Sequence, residues 1–293
     1  MKKNIWTDQD LLKLDQKFAE ENIAFHARPM RAAIELMGGL FSLDLLDNDE
    51  AEFIIAAYQR LIPETDTIWP GMGIGIAASV DQVRKITAGV GFGRPILSLE
   101  TVLNFDTDVQ ALQWCRHDPD IAAKGFFSGA DLHDFTYGID DLRESKSIAI
   151  RYWHLALSNL EDVANILSTG YSTASVIQPI CMTAELSIKA ALLYCDVDPD
   201  EVRKFSHQHK AMAARLSVVK KHRDDIMVES VVTKLPSYVG TRYDLTNLTR
   251  LDIVKLALGV QFVAASSVRR LTDRDFAAQL EHDSWPGVRK SFF

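Results

Sequence analysis

The sequence predicts a mainly α protein, in which an irregular, mostly helical N-terminal part precedes an antiparallel helical bundle. Three observations carry that expectation. Apolar residues recur by threes and fours over long stretches of the C-terminal half, and the connections between those stretches are short. In addition, 293 residues at 47% hydrophobic content suffice for a sizeable core.

Charge divides the chain. Residues 1–143 hold 13 basic and 23 acidic side chains, whereas 144–293 hold 19 and 17. We therefore expect two domains, an acidic one over 1–143 and a bundle with a C-terminal tail over 144–293. The opening MKKNIWTDQDLL has no apolar stretch of signal length, and no later segment reads as a run of ~20 apolar residues. A soluble cytoplasmic protein without a membrane partner is the expectation. Cys115, Cys181 and Cys195 are odd in number and in no paired motif, which reads as buried, reduced thiols.

In the N-terminal half, residues 8–22 form a charged helix with Leu11, Leu12, Leu14 and Phe18 on one side. Pro29 begins a second helix that Gly38 and Gly39 interrupt, and DEAEFIIAAYQRL supplies a third. The segment WPGMGIGIAASVDQVRKITAGVGFGRP holds six glycines. A dinucleotide fingerprint needs an apolar strand before it, and ETDTIWP stands there instead. The segment reads as glycine-marked turns around a short helix at Ser79 to Thr87, with no nucleotide cofactor. Two short stretches then offer Cys115, His117 and Asp118, and Asp131, His133 and Asp134. On helices, their spacing does not aim one set of side chains at one ion: Asp131 and Asp134 share a face and His133 does not. No metal site is expected, and Asp118 and Asp131 read as caps of helix starts.

The C-terminal half is more regular. SIAIRYWHLALSNLEDVANILSTG spaces Trp153, Leu157, Leu160, Val163 and Leu167 on one face and stops at Gly170. The next helix, ending at SIKAALLYC, is apolar nearly all round, with a Glu185–Lys189 pair at i,i+4. Ser206 reads as the cap of HQHKAMAARLSVVKK, DIMVESVVTKL adds a short helix, and Thr249-x-x-Asp252 opens a last helix running to about Leu271. From Arg203 to Arg223 there are seven Lys/Arg and no acid. Any polyanion contact is expected in that stretch.

Over about 144–272, AELSIKAALL, the histidine-led SHQHKAMAARL and the Arg242-Tyr243 pair in PSYVGTRYDL, taken in this order, resemble the HEPN family of helical-bundle domains. No such resemblance covers residues 1–143. The resemblance implies a homodimer and two classes of function. Many members are metal-independent RNA endonucleases of defence or toxin systems that pair an arginine with a histidine a few residues on, which Arg203 and His209 match. Others bind a nucleotide, RNA or a protein partner without cutting. Lys204 follows the arginine, where active members usually carry a polar residue such as asparagine. The favoured expectation is accordingly a binding module using Lys204, His207, Lys210, Arg242 and Tyr243, in a prokaryotic defence or stress system. The alternative is an endonuclease with Arg203 and His209 catalytic, held in check by the N-terminal half.

Overall fold

The computed structural model describes residues 6–38, 49–65, 71–89, 98–142, 147–170, 174–236 and 247–293, and among them the chain is mainly helical with one two-stranded sheet. It divides into two compact units, Met1–Pro70 and Gly71–Phe293. The expected break after Arg143 falls inside the second unit.

The first unit is built from α1 (Asp8–Glu20), α2 (Arg28–Met37) and α3 (Asp49–Leu61). Leu11 and Phe18 of α1 meet Ala32, Ala33 and Met37 of α2 and Ile54 and Tyr58 of α3 in one apolar cluster. Asp15 ties the three helices together: its Oδ1 accepts from Arg28 at 2.9 Å and from the Tyr58 hydroxyl at 2.7 Å. Because Tyr58 is fully buried, this bond satisfies a hydroxyl that would otherwise be stranded in the core.

The second unit opens with a hairpin of β1 (Gly73–Ser79) and β2 (Gln82–Ala88), antiparallel, with Gly73 opposite Ala88 and Ser79 opposite Gln82. This corrects the short helix expected at Ser79 to Thr87. VRKIT supplies β-branched residues suited to a strand, and Val80-Asp81 closes a two-residue turn with Val80 at φ 61°. Helices α4 (Leu99–Val102), α5 (Asp108–Trp114), α6 (Pro119–Leu142) and α7 (Ser147–Thr169) follow. Next come α8 (Ile177–Tyr194), α9 (Pro199–Lys204), α10 (His209–Val219), α11 (Asp225–Lys234), α12 (Arg250–Arg269) and α13 (Phe276–His282).

Helix α8 is central, packed by α7, α10 and α12, as its apolar circumference predicts. Helix α12 packs on α6, α8, α11 and the hairpin. Its capping box is formed, with Thr249 N–H and Oγ1 both donating to Asp252. The windows Ala174–Tyr194 and Arg250–Arg269 have the length and mean hydropathy of membrane-crossing helices, 1.4 and 1.6, and each is 78% buried within the protein. Their apolar surface is thus spent on neighbouring helices.

Two polar devices lock the unit. Gln261 of α12, fully buried, completes the edge of β1: Ile76 N–H donates to its Oε1 at 2.8 Å, and its Nε2 donates to Ile76 O at 3.1 Å and to Ser128 O at 2.9 Å. Gly75 permits this approach, since a Cβ there would lie 2.5 Å from the Gln261 oxygen. Gln261→Leu leaves the Ile76 amide and carbonyl buried without partners, whereas the Ser128 carbonyl keeps its bond within α6. A loss of about 1–3 kcal/mol is expected in urea unfolding.

The second device is ionic. Asp131 and Asp134 lie mid-helix on one face of α6, so Asp131 is not the helix cap the sequence suggests, and both meet Arg269 of α12, at 2.6 and 2.7 Å. Arg289, from the C-terminal tail, grips both oxygens of Asp131 at 2.7 Å each. Asp134 also accepts from the Phe276 and Ala277 amides at the start of α13. Asp224 approaches Arg269 at 3.6 Å, and Arg223 pairs with Asp275 at 2.8 Å and with Glu281. Burial works to raise the carboxyls of Asp134 and Asp224. The cationic Arg269 together with hydrogen bonds from His133, the Phe276 amide and His222 outweighs it, holding both below the usual carboxylate range.

Candidate functional site

Helix α8 presents Cys181, Glu185 and Lys189 at i, i+4 and i+8, along one face. Asp198 caps α9 by accepting from Asp200 N at 2.7 Å, and α9 ends at Lys204. The chain then turns through Ser206, at φ 49°, to start α10 at His209. The cap position belongs to Gln208, not to Ser206 as expected, and its side chain caps nothing. The helix starts three residues beyond Ser206, whose positive φ also departs from the extended backbone typical of an N-cap.

This turn brings two histidines onto the α8 face. His207 Nδ1 lies 2.8 Å from Glu185 Oε2, while Glu185 Oε1 accepts from Lys189 Nζ at 2.7 Å. Glu185, 4% exposed at its side chain, is therefore held between two basic groups. The i,i+4 pair read from the sequence is present; the histidine that completes it gave no signal, being twenty-two positions away in sequence. His209 is buried, with Nε2 3.2 Å from the Cys181 carbonyl. That contact requires Nε2 to carry the hydrogen. Burial draws the ring's pKa down against the pull of the carbonyl and Glu185, so His209 is neutral at pH 7.

His209→Ala is expected to lower stability by on the order of 1 kcal/mol through the lost buried bond. A histidine with a depressed folded pKa gives stability that is present above its unfolded pKa, about 6.5, and lost as pH falls toward the folded value. Urea unfolding of the wild type should therefore weaken as pH drops from about 6.5. His209→Ala should flatten that slope, and an unchanged slope would remove His209 as its source.

Arg203 lies on the exposed side of α9, 80% exposed, with Asp200 Oδ1 at 3.0 Å from its guanidinium. Such an exposed pair contributes little. Arg203 and His209 thus occupy different settings, one in solvent and one in the core. Arg215 pairs with Glu201 at 2.7 Å, and Arg223 is engaged as described. Lys204, Lys210, Lys220 and Lys221 are exposed and have no ion-pair partner among the described residues. Two of them lie near each end of α10, whose eleven residues span about 16 Å. A pocket of about 370 Å³ opens beside the first pair, between the start of α10 and the end of α11, lined by His207, Gln208, His209, Lys210, Leu235 and Pro236. Arg242 and Tyr243 lie outside the described residues.

The Cys/His/Asp segments do not converge. Asp131 and Asp134 are bound by arginines, His133 stacks on Tyr137 at 4.6 Å between ring centroids, and Asp118 caps α6 by accepting from Asp120 N at 2.8 Å. Among the described residues no three of His, Cys, Asp or Glu form a group able to hold a metal ion. Burial pushes the Cys115 thiol up to about 11 and the Cys181 thiol, with help from Glu185, up to about 12, so neither is a thiolate at neutral pH.

Comparison with protein-family models, curated proteins and solved structures finds no match for this chain.

Proposed function

We propose that the second unit is a HEPN-like bundle that binds RNA without cutting it, as a homodimer formed through its C-terminal half. The observation that carries this reading is the set of four exposed lysines, Lys204, Lys210, Lys220 and Lys221, without ion-pair partners among the described residues, on an acid-free segment that holds seven Lys/Arg in an otherwise acidic chain. Free lysines on a surface release counterions when they meet phosphates, and that release supplies affinity without sequence preference. His209 supports binding over cleavage: a general acid or base must reach the proton it moves, and this ring is buried with its donor nitrogen held by Cys181. The central position of α8 among α7, α10 and α12 supports the bundle assignment.

The test is fluorescence anisotropy of a labelled single-stranded RNA across a salt series, with the RNA recovered on a denaturing gel in the presence of a chelator. Salt-sensitive binding with intact RNA is expected. Failure to bind at low salt sinks the RNA reading and leaves a nucleotide or an acidic protein as partner. Metal-independent cleavage, abolished by His209→Ala in a variant that melts normally, would establish the endonuclease instead.

A further inference from the structure

A second pocket, remote in sequence from the lysines of α10, lies between α6, α12, the hairpin and the tail at 286–292. Its volume is about 220 Å³, and Phe127, Val254, Leu258 and Phe292 give it a mainly apolar lining. An apolar cavity of about 150 Å³ is known to hold benzene, so this one is of a size for roughly eight to ten heavy atoms. Its polar groups are unequally committed. Arg289 is bound to Asp131, and Lys290 to Asp120 at 2.6 Å. Lys124 and Lys255 also line it and have no ion-pair partner among the described residues. The acids whose charge they feel are both engaged elsewhere, Asp120 with Lys290 and Asp252 with the Thr249 cap. Asp131, the other carboxylate in the wall, is neutralised by two arginines and does not repel an anion.

We infer that this pocket binds a small amphipathic carboxylate, of the medium-chain fatty acid class, with the chain among the apolar side chains and the carboxylate between Lys124 and Lys255. An inorganic anion would leave the apolar lining unused, and a neutral chain would leave two lysines uncompensated beside it. Burial of each methylene favours entry, and a charge-assisted contact at the mouth fixes orientation.

Calorimetric titration of the full chain with octanoate, octan-1-ol and inorganic phosphate tests this. Octanoate is expected to bind at one site per chain, at least tenfold more tightly than octan-1-ol, and phosphate is expected neither to bind there nor to displace it. Lys124→Gln with Lys255→Gln should weaken octanoate at least tenfold and change octan-1-ol less than twofold, while Leu258→Trp should weaken both by filling the pocket. Should the tryptophan variant fail to fold, the lysine variant still decides. Absence of octanoate binding, equal affinity for octanoate and octan-1-ol, or octanoate binding that survives both lysine substitutions would overturn the inference.

Discussion

Arg269→Met is expected to lower the stability of the protein by about 3–5 kcal/mol, the penalty for removing one partner of a buried ionic cluster. The guanidinium side chain is fully buried and faces Asp131, Asp134 and Asp224 at 2.6, 2.7 and 3.6 Å. Methionine fills a similar volume, so the loss reports charge more than cavity. Asp131 retains Arg289, Asp134 retains two backbone amides and Asp224 retains Arg223 at 3.9 Å, but Asp134 would be left buried with no arginine beside it. The pH dependence supplies a second readout. In the wild type, Asp134 and Asp224 titrate below their unfolded values, so their stabilisation is present above about pH 4 and is lost as pH falls through the folded pKa. Without Arg269, Asp134 loses its largest counter-charge and Asp224 one of several, so both carboxyls should titrate higher than in the wild type and the acid-side loss should shrink. Urea unfolding at neutral and acid pH measures both effects, and a variant within about 1 kcal/mol of the wild type would show that the cluster is not a stabilising lock.

The charge-reversed variant Lys204→Glu, Lys210→Glu, Lys220→Glu, Lys221→Glu is expected to abolish RNA binding. Four phosphate contacts on a single strand give a slope of about −2.8 in log affinity against log salt, or about 50-fold between 50 and 200 mM. Reversing all four removes that dependence along with the affinity. The fold should tolerate it, since all four are exposed and a glutamate in the first turn of α10 suits the helix dipole. Anisotropy at two salt concentrations, with a thermal melt as control, checks it. Undiminished affinity would place the RNA surface elsewhere.

The helices were legible because each carries its own evidence: an apolar stripe, a capping box at Thr249 and Asp252, a stop at Gly170. The hairpin was not, because glycine at 73 and 75 thins the strand pattern and reads locally as turn; the reason for Gly75 is Gln261, far along the chain. The charge change near Arg143 does not coincide with the division into compact units, since net charge is set by surfaces, whereas α6 belongs with the second unit through buried aspartates whose arginines lie beyond residue 260. At the site, periodicity exposed the Glu185–Lys189 pair and the basic run. Arg203 has its acid at i,i+3 in the same helix, but which of the other cations are free was illegible, because Arg215 and Arg223 find their acids only in the fold.

The reach of the buried contacts also bears on the order in which a nascent chain can fold. In the first unit the bond from the buried Tyr58 hydroxyl to Asp15 spans 43 residues, so its three helices can associate soon after they leave the ribosome. In the second, β1 waits for Gln261 across 185 residues and Asp131 waits for Arg289 across 158. Until those arginines are made, α6 carries two carboxylates that resist burial, which keeps it from collapsing into a premature partner and delays closure of the bundle until the tail has been synthesised.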